Sequence, residues 1–253
     1  MGRPDFVRSF VSNTPEYQQS FATFLAHTDQ KENAFAWIRG EVEKLPARRT
    51  MIDAGAGSGK LTAWLTPSFE RVIAIEPNPS LAADLRAVCP TAEVIEAQIT
   101  SALVATKANF ILCSHVFYYI PRREWESNLQ RLIEWLDMGG VLAITIQNPE
   151  TDCMRMVRHF IGGRRDLGEL CEVAKGSPEG HFDVRLETVP AHITTDDLET
   201  ACQVAEFILN VLPIPSPPTW LDLERYVQEH FLQPGGGYRF SCHQDFLRVA
   251  RCG

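Results

Sequence analysis

The sequence predicts an α/β fold, doubly wound around a mainly parallel sheet, with a helical cap at its N-terminus. Two observations point there. Between residues 49 and 147 short apolar runs alternate with amphipathic stretches, the pattern of βαβ units. The first apolar run, "TMIDA", passes directly into three glycines spaced one residue apart, Gly55, Gly57 and Gly59. A chain of 253 residues with 45% hydrophobic content can bury one sizeable core. One domain over 1–253 is therefore expected, with residues 1–45 as a cap within it.

Taken in order, residues 15–45 read as helical and apolar on one face, through Phe21, Phe24, Leu25, Phe35, Trp37 and Ile38. "RTMIDAG" reads as a buried strand, "KLTAWLT" as a helical turn, and "RVIAIEP" as a second strand. "PSLAADLRAVCP" is an amphipathic helix that Pro90 stops. "AEVIEAQ" and "NFILCSH" follow as strands, then "REWESNLQRLIEWLDMGG" as a helix closed by glycines and "VLAITIQ" as a strand. Farther on, "TTDDLETACQVA" carries a threonine cap and helical spacing, "EFILNVL" reads as a strand, and "TWLDLERYVQEHFL" as an amphipathic helix. "IPSPPT" is a short rigid connection, and "GYRFSCHQDFLRVAR" reads as a closing hairpin or one long strand.

Composition excludes several function classes. A net charge of -8 and a pI near 5.4 argue against a surface built to neutralise phosphates, so nucleic acid is not an expected partner. The basic run "GGRRD" is too short to alter that. No apolar stretch approaches the ~20 residues of a membrane span, and "MGRPDFVRSFVSN" lacks a signal-peptide core, which reads as a cytoplasmic chain. Seven scattered cysteines without CxxC spacing suit reduced thiols, and seven histidines without HxxxH spacing give no reason to assign a metal.

The glycine loop carries the chemistry. A P-loop needs a glycine at position 54 and a hydroxyl at 61, where this chain has Ala54 and Leu61. A dinucleotide fingerprint needs a small residue at 60, where Lys60 stands. What remains is Asp53-Ala-Gly55-Ala-Gly57-Ser58-Gly59, whose glycines let backbone pass close to an extended ligand while Asp53 ends the strand. Glu76, at the end of the neighbouring strand, is placed to accept two hydrogen bonds from a ribose diol.

"IDAGAGSGKLT" and "IAIEPNP" resemble the first two motifs of the class I S-adenosylmethionine-dependent methyltransferases. The resemblance implies a seven-stranded sheet with its last strand reversed and S-adenosylmethionine over the carboxyl ends of the first strands. It sets Gly55, Gly57 and Ser58 beside the methionine part with Asp53 nearby, Glu76 on the ribose, and Gln98 and Ile99 against the adenine. Where that family often has an acid near position 98, this chain has Gln98.

Outside those motifs, "YQQSFATFLAHTDQKENAF", "SHVFYYIP", "HITTDDLETA" and "RFSCHQDFLRVA" together resemble the histamine N-methyltransferases, in order and spacing, over nearly the whole chain. This implies a small amine or azole as methyl acceptor. Tyr17 and Phe21 match aromatics lining the acceptor pocket, and Tyr118 and Tyr119 match a tyrosine pair. Three polar contacts depart from the pattern. Gln30 stands for a carboxylate, with Asp29 and Glu32 close by; His115 stands for a carboxamide; Ser241 or Cys242 stands for an asparagine. The tryptophans expected after the fifth strand are missing from "TDCMRMVRHF".

The residues support an acceptor site on their own terms, because "CSHVFYYIP" begins where the fourth strand ends, the place where open α/β sheets hold ligands. His115 is suited to hold an acceptor by a hydrogen bond or to take its proton. Tyr118 and Tyr119 are suited to face a cationic sulfonium or ammonium. The plain alternative makes the tyrosines core and His115 a satisfied strand-end residue. His181 with Glu179 and Asp183, and Asp196 with Asp197, read instead as a surface loop and as helix capping; Cys113 and Cys242 have no evident base. The implied mechanism is in-line displacement of a methyl group, aided by alignment and desolvation. Alternatives are O-methylation of a small natural product, a cofactor-binding protein without catalysis, and a nicotinamide-dependent oxidoreductase.

Overall fold

The computed structural model describes residues 4–10, 14–177 and 180–252. Its first half contains α1 (Pro15–Ala26), α2 (Gln30–Glu43), β1 (Thr50–Ala54), α3 (Lys60–Leu65), β2 (Arg71–Ile75), α4 (Pro79–Val88), β3 (Glu93–Ile95) and β4 (Ala108–Ser114). Its second half contains α5 (Trp125–Glu134), β5 (Leu136–Gln147), α6 (Asp152–Phe160), α7 (Leu167–Lys175), β6 (Phe182–Val189), β7 (His192–Thr195), α8 (Leu198–Leu209), α9 (Trp220–Phe231), β8 (Tyr238–Ser241) and β9 (Gln244–Arg251).

Contacts divide the chain into two compact units. One comprises residues 37–146, 166–187 and 245–253 and is built on the seven-stranded sheet, ordered β3-β2-β1-β4-β5-β9-β6. β1 pairs in parallel with β2 and β4, β2 with β3, and β4 with β5. Every residue of β1 is buried, as a strand covered on both faces requires, and Met51 and Ile52 are wholly enclosed. The order reverses between β1 and β4, and the carboxyl ends of strands at such a switch point are where open α/β sheets hold ligands. Local chemistry fixes the crossovers: Asn78 caps α4 by accepting from the Ser80 and Leu81 amides, with Pro79 at the first helical position. The helical reading of 15–45 and the mainly parallel sheet match the expectation.

The other unit comprises residues 1–36, 147–165 and 188–244. It holds α1, α6, α8 and α9 and the antiparallel pair β7–β8, in which His192 faces Ser241 and Thr195 faces Tyr238. Side-chain oxygens of Thr14, Thr151, Asp197 and Thr219 cap its four helices.

Three expected elements differ. "EFILNVL" is the last turn of α8 followed by a turn rather than a strand, because Ala201, Cys202, Val204, Ala205, Ile208 and Leu209 are all buried and a helix enclosed nearly all round shows no clean 3.6 period. "GYRFSCHQDFLRVAR" is neither a hairpin nor one strand: β8 pairs with β7 while β9 enters the large sheet, with Cys242 and His243 between them. α5 is ten residues long and ends at Glu134, and "LDMGG" opens β5. Gly139 takes φ +70° where the β4–β5 ladder shifts register, so these glycines serve an irregular strand and not a helix end.

Candidate active site

The loop after β1 is fixed by backbone bonds before any ligand is considered. The amides of Gly55 and Ala56 donate to the Ile75 carbonyl at 2.8 and 3.0 Å, which folds the loop back over the end of β2. Gly55 and Gly57 have φ of +83° and +56°, the left-handed region that glycine enters without strain. A Cβ on Gly55 would lie 2.3 Å from Val116 Cγ2, so the loop lies tight against the segment after β4. A Cβ on Gly57 would meet nothing within 4 Å, so its face is open.

Glu76 joins the loops that follow β1 and β2. One carboxylate oxygen accepts from the Gly57 amide at 2.8 Å and the other from the Asn78 amide at 2.9 Å. The side chain is 6% exposed, and its amide donates to the Ile95 carbonyl of β3 at 3.0 Å. An ionised carboxylate has about four acceptor positions. Two are filled by amides that hold it still, and the others suit the paired hydroxyls of a ribose. With the open face at Gly57, these residues fit a ribose-bearing cofactor.

Asp53 points into the structure, 2% exposed, and accepts from the Thr62 hydroxyl of α3 at 2.7 Å. Burial pushes its carboxyl up to about 6; the Thr62 bond opposes that and the Glu76 charge adds to it. Ser58 is half-buried in the loop. Gln98 is exposed and starts a short 3-10 turn, where its carbonyl accepts from the Ser101 and Ala102 amides; Ile99 beside it is 5% exposed.

His115 follows β4 with φ +59°, a conformation uncommon outside glycine and met at functional sites. Its amide donates to the Thr145 carbonyl of β5 at 2.8 Å, and its ring stacks on Tyr118 with centroids 5.8 Å apart and planes inclined by 16°. Desolvation lowers its imidazole to about 4, so the ring is neutral at neutral pH. The tyrosine pair is split: Tyr118 is 3% exposed and Tyr119 is 72% exposed.

The remaining predicted residues belong to the second unit. Tyr17 and Phe21 stack at 6.1 Å, and each also meets Phe207 of α8, at 5.7 and 5.6 Å. Gln30 and Cys242 are brought together, because the Gln30 carboxamide donates to the Cys242 carbonyl at 2.7 Å. The Cys242 thiol lies 3.4 Å from the Thr28 hydroxyl, and burial pushes it up to about 12. Ser241 is tied elsewhere, its amide and hydroxyl both donating to Asp152 at 2.8 Å. Asp29 accepts from the His192 amide.

Of the acid/base candidates set aside, Asp197 caps α8 through the Thr200 amide and hydroxyl, and Asp183 pairs with Arg185 and Arg248. Glu179 lies outside the described residues. Burial pushes the Cys113 thiol well above its ordinary value. Among the described residues no group of three or more His, Cys, Asp or Glu side chains is placed to hold a metal, and no helix is long and apolar enough to cross a membrane. Sequence reasoning missed Thr62, Val116 and Phe207. Thr62 had a usable signal, a hydroxyl on the helix that starts at the glycine loop.

The model of a methyltransferase domain matches residues 25–207. The chain belongs to the methyltransferase-domain family. No curated protein matches it in sequence. Among solved structures, it resembles the YcgJ protein from Bacillus subtilis at 12% identity and a TM-score of 0.60, over 88% of this chain and 100% of that one. N-methyltransferase NodS from Bradyrhizobium japonicum WM9, in complex with S-adenosyl-L-homocysteine, is 12% identical with a TM-score of 0.56, over 94% and 99% of the two chains. Magnesium protoporphyrin IX methyltransferase from Synechocystis PCC 6803, with bound S-adenosylmethionine, is 10% identical with a TM-score of 0.51, over 96% and 86%. At such identities the likeness is one of fold.

Proposed function

We propose that the protein transfers a methyl group from S-adenosylmethionine to a nitrogen of a small amine or azole. The observation that carries the choice of acceptor is the neutral imidazole of His115, lowered to about 4 and stacked on Tyr118 after β4. When bound, S-adenosylmethionine supplies an electrophilic methyl on a sulfonium. Glu76 accepts from the ribose hydroxyls and the glycine loop provides close backbone approach, with Asp53 behind it; Ser58, Gln98 and Ile99 complete the cofactor side.

His115 acts as a hydrogen-bond partner rather than as a base. Its conjugate acid is about six units more acidic than a phenol, whose pKa is near ~10, so it is a poor acceptor for a phenolic proton. An azole nitrogen presents a lone pair at neutral pH and needs only orientation, whereas an alkylammonium, whose pKa is also near ~10, serves as acceptor only where it enters the site already unprotonated. Tyr118 braces the imidazole, and the exposed ring of Tyr119 offers a face to a cationic group.

Tyr17 and Phe21 are the proposed aromatic contacts from α1, with Gln30 and Cys242 as polar ones. Gln30 spends an N–H on the Cys242 backbone carbonyl and the Cys242 thiol lies against the Thr28 hydroxyl, so the two side chains have less to offer a ligand than a carboxylate and an asparagine would. One unpaired polar group costs about 1 to 3 kcal/mol, so two mismatches disfavour histamine by roughly thirtyfold to more than ten-thousandfold. Kinetics with a set of imidazoles, small amines, histamine and phenols test the reading. Turnover of an azole or amine ahead of histamine and phenols is expected; preference for phenols would establish O-methylation instead.

A further inference from the structure

The N-terminal segment is stitched to one turn of α8 by two residues four apart, Glu206 and Asn210. Glu206 is wholly buried, and its carboxylate accepts four hydrogen bonds from Arg8. The Arg8 amide donates to Oε1 at 2.8 Å, Nε reaches both oxygens at 3.0 and 3.2 Å, and Nη2 donates to Oε2 at 2.5 Å. Asn210 closes the other end: its Oδ1 accepts from the Phe10 amide at 2.7 Å and its Nδ2 donates to the Arg8 carbonyl at 2.9 Å. Upstream, the Val7 amide donates to Pro218, and Asp5 accepts from the Trp220 amide, both at 3.0 Å.

Phe207 stands between these residues in sequence and receives the aromatic side chains of α1. Its ring lies 5.7 Å from Tyr17, 5.6 Å from Phe21 and 5.3 Å from Phe24. The same helical turn therefore grips the strap at residues 8 and 10 and seats the aromatic face of α1, which begins at Pro15. A buried carboxylate amid Ala201, Cys202, Val204, Ala205, Ile208 and Leu209 is costly unless paired. Satisfying it with a residue 198 positions away makes the strap a condition of a settled α8.

We propose that Glu206 and Asn210 are positioning residues: by fixing the strap they hold the Tyr17–Phe21 face of α1 in place for the methyl acceptor. This rests on the proposal that Tyr17 and Phe21 meet the acceptor. Glu206 and Asn210 belong to one unit and the glycine loop and Glu76 to the other, so acceptor and cofactor binding are read separately in the test.

The test pairs amide hydrogen exchange of residues 14–26 with steady-state kinetics on the full chain, using Glu206→Gln and the milder Asn210→Ala. The inference expects α1 amides to exchange at least about tenfold faster, acceptor KM to rise about tenfold, and S-adenosylmethionine affinity to hold. Arg8→Lys, which keeps the charge without the fork, should restore part of the protection lost in Arg8→Ala. Unchanged α1 exchange in both variants overturns the latch whatever the enzyme methylates. Faster exchange with unchanged acceptor KM overturns the link to the acceptor, and with it the assignment of Tyr17 and Phe21.

Discussion

Two carboxylates at the ends of neighbouring strands do opposite work because their hydrogen-bond partners differ. Glu76 is held by two amides and keeps acceptor capacity, so Glu76→Ala should weaken S-adenosylmethionine binding by roughly ten- to hundredfold, read by calorimetry, in a protein that stays folded. Asp53 has one hydroxyl partner and full burial, and its folded-state pKa lies above the unfolded value. Its favourable contribution is complete below about pH 3.8 and is lost as pH rises through about 6. Asp53→Asn should therefore raise stability at pH 8 by up to about 3 kcal/mol, a gain that shrinks toward pH 4 in urea titrations. His115 runs the other way: its folded value is depressed to about 4, so its contribution is present above about pH 6.5 and lost as pH falls through 4. His115→Gln should flatten the acid limb of the same stability profile.

At the scale of elements, the glycine loop and the ties around β9 give separable outcomes. Gly57→Ala places a methyl in open space at φ +56°, which costs about 1 to 2 kcal/mol of backbone strain. It should fold, yet lose tenfold or more in cofactor affinity, because the added group occupies the open face. Arg248 of β9 holds Glu41 of α2 at 2.6 Å and Asp183 of β6 at 2.9 Å. Arg248→Ala leaves the buried Glu41 with Lys44 as its one ion-pair partner among the described residues and should cost about 3 kcal/mol in urea unfolding. Neither the Arg248 tie nor the Arg8–Glu206 pair was legible in the sequence, since partners about 200 residues apart leave no local pattern. The strands β1, β2 and β4, β5 from Val141 onward and the glycine loop were legible, because both-face burial writes continuous apolar runs and left-handed backbone writes glycines. The last turn of α8 was misread because burial on nearly every side erased its period, and β8 and β9 were merged because only pairing partners separate them.

At the scale of the molecule, one unit carries the glycine loop, Glu76 and His115, and the other carries the aromatic face of α1, the Gln30–Cys242 bond and the strap. The residues proposed for the cofactor sit at strand ends and on backbone amides, which a local motif can mark; those proposed for the acceptor depend on side-chain pairing, which residue types alone do not specify. The measurement that bears most directly on the account is incubation with methyl-labelled S-adenosylmethionine and equimolar small azoles, amines and phenols, with products identified by mass spectrometry. The account predicts label on an azole or amine nitrogen, stoichiometric S-adenosyl-L-homocysteine, and loss of both when Glu76→Ala is assayed at the same cofactor concentration. Label on a phenolic oxygen, or undiminished transfer by Glu76→Ala, would contradict it.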